Sequence, residues 1–129
     1  TNNKELMKSL MDLTVFNVNK PDEEEYKIFV EDSLKTKNLK GAAWGAQTFN
    51  ISHINNGVLD GTGEIDKIDI PVLLLAGEKD ILCPISMQEF TKGQIGENAT
   101  LEIISNAGHA IHYDNEDLVV EKISNFILN

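Results

Sequence analysis

The chain has no arginine, a single cysteine, only three prolines, and no apolar run long enough to span a bilayer. Its eleven basic residues are all lysines, so it has no guanidinium fork to clamp a phosphate or carboxylate. One thiol, Cys83, excludes an intrachain disulfide and gives no cluster of cysteine ligands for a metal. This usage fits a reducing cytoplasm, the expected location. Basic charge is scarce beside 21 acidic residues, and the formal net charge is −10. That argues against nucleic acid and against an anionic membrane as partners, because both reward clustered cations. Neither a signal peptide nor a membrane anchor is visible at the N-terminus, although a piece cut from a longer protein would show none in any case. Finally, no serine stands in a G-x-S-x-G frame.

What is present is ordinary for a globular domain with one modest core: 129 residues, 41% hydrophobic and 25% charged. Up to about Gly63 the pattern is helical. Leu6, Met7, Leu10 and Met11 make an apolar stripe at helix spacing. Pro21 opens a second helix with Asp22, Glu23 and Glu24 in its first turn, where the helix dipole favours negative charge. Its expected buried face is Tyr26, Phe29, Val30 and Leu34. A third helix is expected from Asn38 or Leu39 into the low fifties, anchored by Trp44 and Phe49. Gly57, Gly61 and Gly63 mark a loop.

From Ile65 the pattern becomes strand, helix, strand, helix. Ile70–Ala76 is a continuous apolar run, as expected of a parallel strand covered on both faces. Pro84 and Ser86, with Glu89 three residues after the serine, predict a helix start that ends by Gly93 or Gly96. Leu101–Ile104 is the second strand. Asp114–Asp117 reads as the acidic start of a closing helix whose stripe is Leu118, Val119, Ile123, Phe126 and Ile127. A right-handed crossover makes the two strands of this βαβα unit parallel.

Each strand runs into a glycine-containing turn that presents one polar side chain: Gly77-Glu78-Lys79-Asp80 after the first, Gly108-His109 after the second. In open parallel sheets functional groups gather beyond the carboxyl ends of the strands. An aspartate there can accept the Nδ1–H of a histidine, fix its tautomer and stabilise the imidazolium formed when Nε2 takes a proton from a nucleophile. Taken singly, Asp80 could equally cap a turn and His109 decorate a loop; the joint arrangement is far more specific.

Ile68-Asp69-Ile70-Pro71-Val72-Leu73-Leu74-Leu75-Ala76-Gly77-Glu78-Lys79-Asp80 resembles the I-x-x-P-x-L-x-x-x-G-x-x-D strand and turn of the α/β-hydrolase superfamily. Gly108-His109-Ala110-Ile111-His112-Tyr113-Asp114-Asn115-Glu116 is similar to that family's ending, which often has Glu then Pro where Asp114 and Asn115 stand. The resemblance implies an α/β fold: a partial doubly wound parallel sheet, residues 64–129, preceded by a helical cap-like segment and return helix, residues 1–63. It implies that Asp80 is the acid and His109 the base of a Ser-His-Asp triad. The nucleophile and oxyanion hole would then lie upstream of Thr1, and this chain alone would be inactive.

The other candidate residues read as structural. Gly41-Ala42-Ala43-Trp44-Gly45 outlines a nucleophile elbow with Ala43 in place of serine, but an elbow follows a buried strand and Lys35–Lys40 is not one. Cys83 lies three residues past Asp80; a neighbouring carboxylate disfavours a thiolate nucleophile, so an apolar wall residue is expected. His53 is expected as a cap or interface residue. His112 follows His109 by three, without a third ligand of suitable spacing, so neither metal nor cofactor is expected.

The function that the resemblance implies is hydrolysis of an ester, thioester, lactone or amide by the intact protein through an acyl-enzyme, with a small acyl molecule as substrate. The alternative is a non-catalytic α/β interaction module of the same ancestry. The unpaired edge of an apolar strand also predicts a homo-oligomer.

Overall fold

The computed structural model describes residues 3–128; Thr1 and Asn129, the outer limits of the two expected segments, lie outside them. Helix α1 (Lys4–Leu13) begins where the Asn3 side chain accepts the Leu6 N–H. Helix α2 (Glu23–Leu34) is capped by Asp22, whose carboxylate accepts the N–H groups of Glu24 and Glu25. A cap of this kind contributes about 1 kcal/mol. Helix α3 (Leu39–Thr48) starts at Asn38, which accepts from Gly41 N–H. It stops at Thr48, short of the low fifties. The following residues turn instead through an asparagine-rich loop in which Asn50 Nδ2 donates to the Ile54 and Leu59 carbonyls.

Strand β1 (Val72–Gly77) pairs in parallel with β2 (Ala99–Ile104), Val72 opposite Ala99 and Gly77 opposite Ile104. Helix α4 (Ile85–Ile95) makes the crossover. Pro84 stands at its N-cap with no side-chain hydrogen bond, so the expected Ser86–Glu89 capping box does not form. Gly96 ends the helix at φ 81°, a conformation that favours glycine. The acidic stretch expected to open a single closing helix is split. Asp114 ends a short helix α5 (Ile111–Asp114), Asn115 breaks it, and α6 (Glu116–Leu128) follows.

Helices α4 and α6 both pack on the two strands. Leu101 and Ile103 line a groove with α4, whereas Thr100 and Glu102 line one with α6. Side chains alternate along a strand, so the two helices lie on opposite faces of the sheet. Among the described residues the sheet has two strands, and the other edge of β1 has no ladder partner.

The buried apolar residues form two clusters. Ile104, Ala107 and Val119 pack with Leu75, Ile111 and Leu118 beneath α6. Phe16, Tyr26, Val30 and Ala110 join the helical region to the segment after β2, with Met7, Met11, Leu34 and Tyr113 around them. Phe16 meets Tyr26 and Tyr113 edge-on and Phe29 face-on, each at 5.6–5.7 Å between centroids. Such ring pairs add roughly 0.5–1.5 kcal/mol each beyond simple burial. The expected anchors of α3 do not behave as anchors: Trp44 is 63% and Phe49 72% exposed. Phe49 lies just past the end of the helix, and no described element covers either ring. Ile123 and Ile127 of α6 are exposed in the same way.

Candidate functional site: the paired strand ends

Gly77 closes β1 and Gly108 follows β2 by four residues, and the two turns they open are pressed together. A Cβ on Gly77 would lie 2.0 Å from the Gly108 carbonyl oxygen, and one on Gly108 would lie 1.9 Å from Asn17 Oδ1. Neither glycine has a positive φ, so close approach rather than backbone freedom requires them. The turns are also hydrogen-bonded: Glu78 N–H donates to Ile104 O, and Lys79 N–H to Ala107 O. Asn106 adopts the left-handed conformation at φ 55°, and its N–H donates to the Glu78 carboxylate. Asparagine tolerates that conformation better than most residues.

This geometry delivers Asp80 and His109 to one place. Asp80 Oδ2 lies 3.0 Å from His109 Nδ1. Its other oxygen accepts the N–H groups of Leu82 (2.8 Å) and Cys83 (3.0 Å), closing an Asx-type turn. The Asp80 side chain is only 7% exposed, against 39% for His109. Burial pushes the Asp80 carboxyl up, but the hydrogen bonds from Cys83 N–H, His109 and Leu82 N–H outweigh it and hold the pKa below the usual 3.8. Near neutral pH Asp80 is therefore an anion and accepts only. The contact therefore has His109 Nδ1–H as donor, and in that tautomer of a neutral ring Nε2 carries the lone pair.

The His109 turn is further held from the N-terminal region, a connection that sequence reading missed. Residues Val15–Asn19 bond to it and to the turn after β1 as a strap. Ala110 N–H donates to Val15 O, and Asn17 Nδ2 to Lys79 O. Asp114 bridges: one carboxylate oxygen accepts Gly108 N–H at 2.7 Å, the other Asn19 N–H at 2.9 Å. Asn19 Nδ2 returns to the Asp114 carbonyl. One signal was available, since the run Phe16-Asn17-Val18-Asn19 between two helices is rich in side chains that bond backbone.

The remaining candidates fall elsewhere. Gly41–Gly45 lies inside α3, so it makes no elbow. His53 does not cap a helix; it sits in the asparagine-rich loop with Nε2 2.8 Å from Asp66. His112 is exposed on α5. Cys83 is not simply an apolar wall residue, because the Asx-type turn folds it back towards the pair. Its Sγ, an Asp80 carboxylate oxygen and a His109 ring nitrogen lie within 4.8 Å of one another. No helix among the described residues is long and apolar enough to cross a membrane.

No protein-family model matches the chain. Over 64 residues it is 36% identical to proline iminopeptidase PfmaB of Pestalotiopsis fici (strain W106-1 / CGMCC3.15140). The matched stretch is half of this chain and 22% of that relative. Proline iminopeptidases are hydrolases of the α/β-hydrolase kind, and this likeness, together with a parallel βαβα unit, supports an α/β-hydrolase ancestry for the chain.

Proposed function

We propose that this chain supplies the acid and base of a nucleophile–His–Asp triad to an α/β-hydrolase, with Asp80 as the acid and His109 as the base. The observation that carries the reading is the 3.0 Å contact between Asp80 and His109 Nδ1 at the carboxyl ends of adjacent parallel strands. In this reading residues 64–129 are the C-terminal segment of a doubly wound sheet. Residues 1–63 are a cap segment and the helix returning to it. The nucleophile, a serine, and the oxyanion hole come from residues outside this chain.

The chemistry follows from the tautomer. His109 Nε2 takes the serine proton as the oxygen attacks the acyl carbon, and Asp80 stabilises the imidazolium that results. The imidazolium then gives its proton to the leaving group, and an acyl-enzyme remains. Water attacks next, with Nε2 again accepting the proton, and the acid product leaves. The substrate is a small acyl compound: an ester, thioester, lactone or amide. The peptidase name of the relative favours the amide. The edge of β1 that has no ladder partner among the described residues is the surface through which this chain, by itself, forms a homo-oligomer.

A fluorophosphonate probe tests the reading. A protein that carries this chain together with an upstream G-x-S-x-G segment should label stoichiometrically and hydrolyse p-nitrophenyl esters. The chain alone should do neither. Stoichiometric labelling of the chain alone would place a nucleophile within it and overturn the assignment. A labelling-inert longer protein would turn the reading towards a non-catalytic interaction module.

A further inference from the structure

Cys83 is the group that hydrolysis leaves unused. It is the one thiol of the chain, and its sulfur lies beside the Asp80–His109 pair. The Asp80 carboxylate accepts the Leu82 and Cys83 N–H groups and thereby winds the turn back on itself. A sulfur, a carboxylate oxygen and an imidazole nitrogen, each from a different residue, thus converge within 4.8 Å. We propose that Asp80, Cys83 and His109 form a binding site for a thiophilic divalent transition-metal cation of the zinc type.

The donor set selects the class of ion. Magnesium and calcium take oxygen ligands, whereas a thiolate with an imidazole and a carboxylate suits zinc or cobalt. Bonds of about 2.0–2.3 Å from a tetrahedral zinc ion imply donor separations of roughly 3.5 Å. Closing the observed spread to that requires side-chain movement of Cys83 and of His109, which at 39% is more exposed than Asp80. That exposure also gives the ion its way in. Asp80 is held as an anion, and a net charge of −10 draws cations to the surface. Three protein ligands leave a fourth position for water. On binding, the Cys83 thiol releases its proton to solvent and the thiolate sulfur donates its pair to the cation, which offsets the unfavourable neighbouring carboxylate.

The site does not depend on the hydrolytic reading. If that reading holds, the two states exclude each other, because the metal takes the carboxylate and ring with which Asp80 orients His109. Metal binding would then switch the acid–base pair off.

Cobalt(II) titration of the untagged, reduced chain is the test. With one thiol present, an ultraviolet thiolate-to-cobalt charge-transfer band can arise only at Cys83. The expected result is saturation at one equivalent at micromolar protein, with the band displaced by zinc. Asp80→Asn and His109→Gln, each checked for folding by circular dichroism, should weaken cobalt binding at least about tenfold. Should either variant fail to fold, zinc protection of Cys83 from iodoacetamide in the wild-type chain supplies the same answer. Absence of the band and of protection, or variants that bind like wild type, overturns the site. Neither result depends on probe labelling of a longer protein, so the two readings fail separately.

Discussion

A methyl group placed on Gly77 would lie 2.0 Å from the carbonyl oxygen of Gly108. The two strand-end turns touch through their backbones at this point, and the Asp80–His109 contact rests on that closeness. Gly77→Ala therefore forces backbone apart and should destabilise the chain by about 1–3 kcal/mol or more. Gly108→Ala should cost less, because its obstacle is the Asn17 side chain, which can rotate. Urea denaturation of the two variants measures the order. A reversed order would mean that the strap, not the backbone contact, sets the spacing.

Asp80→Asn removes the anion that keeps the proton on His109 Nδ1. In a longer protein with a serine nucleophile it should lower kcat roughly 10⁴-fold, the size of the effect in the serine-protease triad. Steady-state kinetics should show the loss in kcat with KM little changed. A loss of a few-fold would demote Asp80 to a turn-forming residue.

Asp114→Ala strips acceptors from two backbone donors, Gly108 N–H and Asn19 N–H. Losing the acceptor of a part-buried donor costs about 1–3 kcal/mol. Hydrogen exchange at the Gly108 amide should quicken in step with the loss of stability. Unchanged exchange would show that Asp114 does not hold the His109 turn.

Both tyrosines should titrate late. Burial, then the hydrogen bond to Asp12 and its charge, push the Tyr26 phenol above the ordinary 10.0. The hydrogen bond to Glu25 comes first for Tyr113, followed by burial. A raised folded pKa means that the native state holds protons the unfolded chain releases. The associated stability is fully present below pH 10.0 and drains away as pH rises through the folded values. Absorbance titration should show less tyrosinate at pH 10 in the folded chain than in the unfolded one, and thermal stability should fall above that pH. Half-ionisation of either ring at pH 10 would contradict the contacts to Asp12 and Glu25.

Sedimentation at micromolar concentration should find the chain alone as a homo-oligomer, since β1 carries no charged residue from Val72 to Gly77 and its outer edge has no ladder partner among the described residues. A stable monomer at all concentrations would mean the edge is protected in another way.

The strands, the crossover and the polar residue after each strand were legible because their signals are local: apolar runs of strand length, a glycine turn, a helical stripe. The carboxylate–imidazole pair followed, since parallel pairing puts both strand ends on one side. Three features were not legible. Trp44 and Phe49 are large apolar side chains in the sequence, but their size carries no information about whether anything covers them. The return of Cys83 towards the pair depends on which backbone donors Asp80 accepts. The strap at Val15–Asn19 is built from hydrogen bonds between irregular segments, which leave no repeat in the sequence.

Asn19 and Asp114 are bonded although 95 residues separate them. The β1–β2 pairing and the helix interiors close over much shorter spans. Joining chain ends costs more entropy as the intervening loop lengthens, and contacts between distant residues come late in folding. Closing the clasp on the His109 turn therefore carries a larger loop-closure cost than pairing the two strands. Loosening of the N-terminal helices should therefore release the clasp on the His109 turn while leaving the β1–β2 ladder paired, which faster hydrogen exchange at Gly108 and Ala110 than within the strands would show.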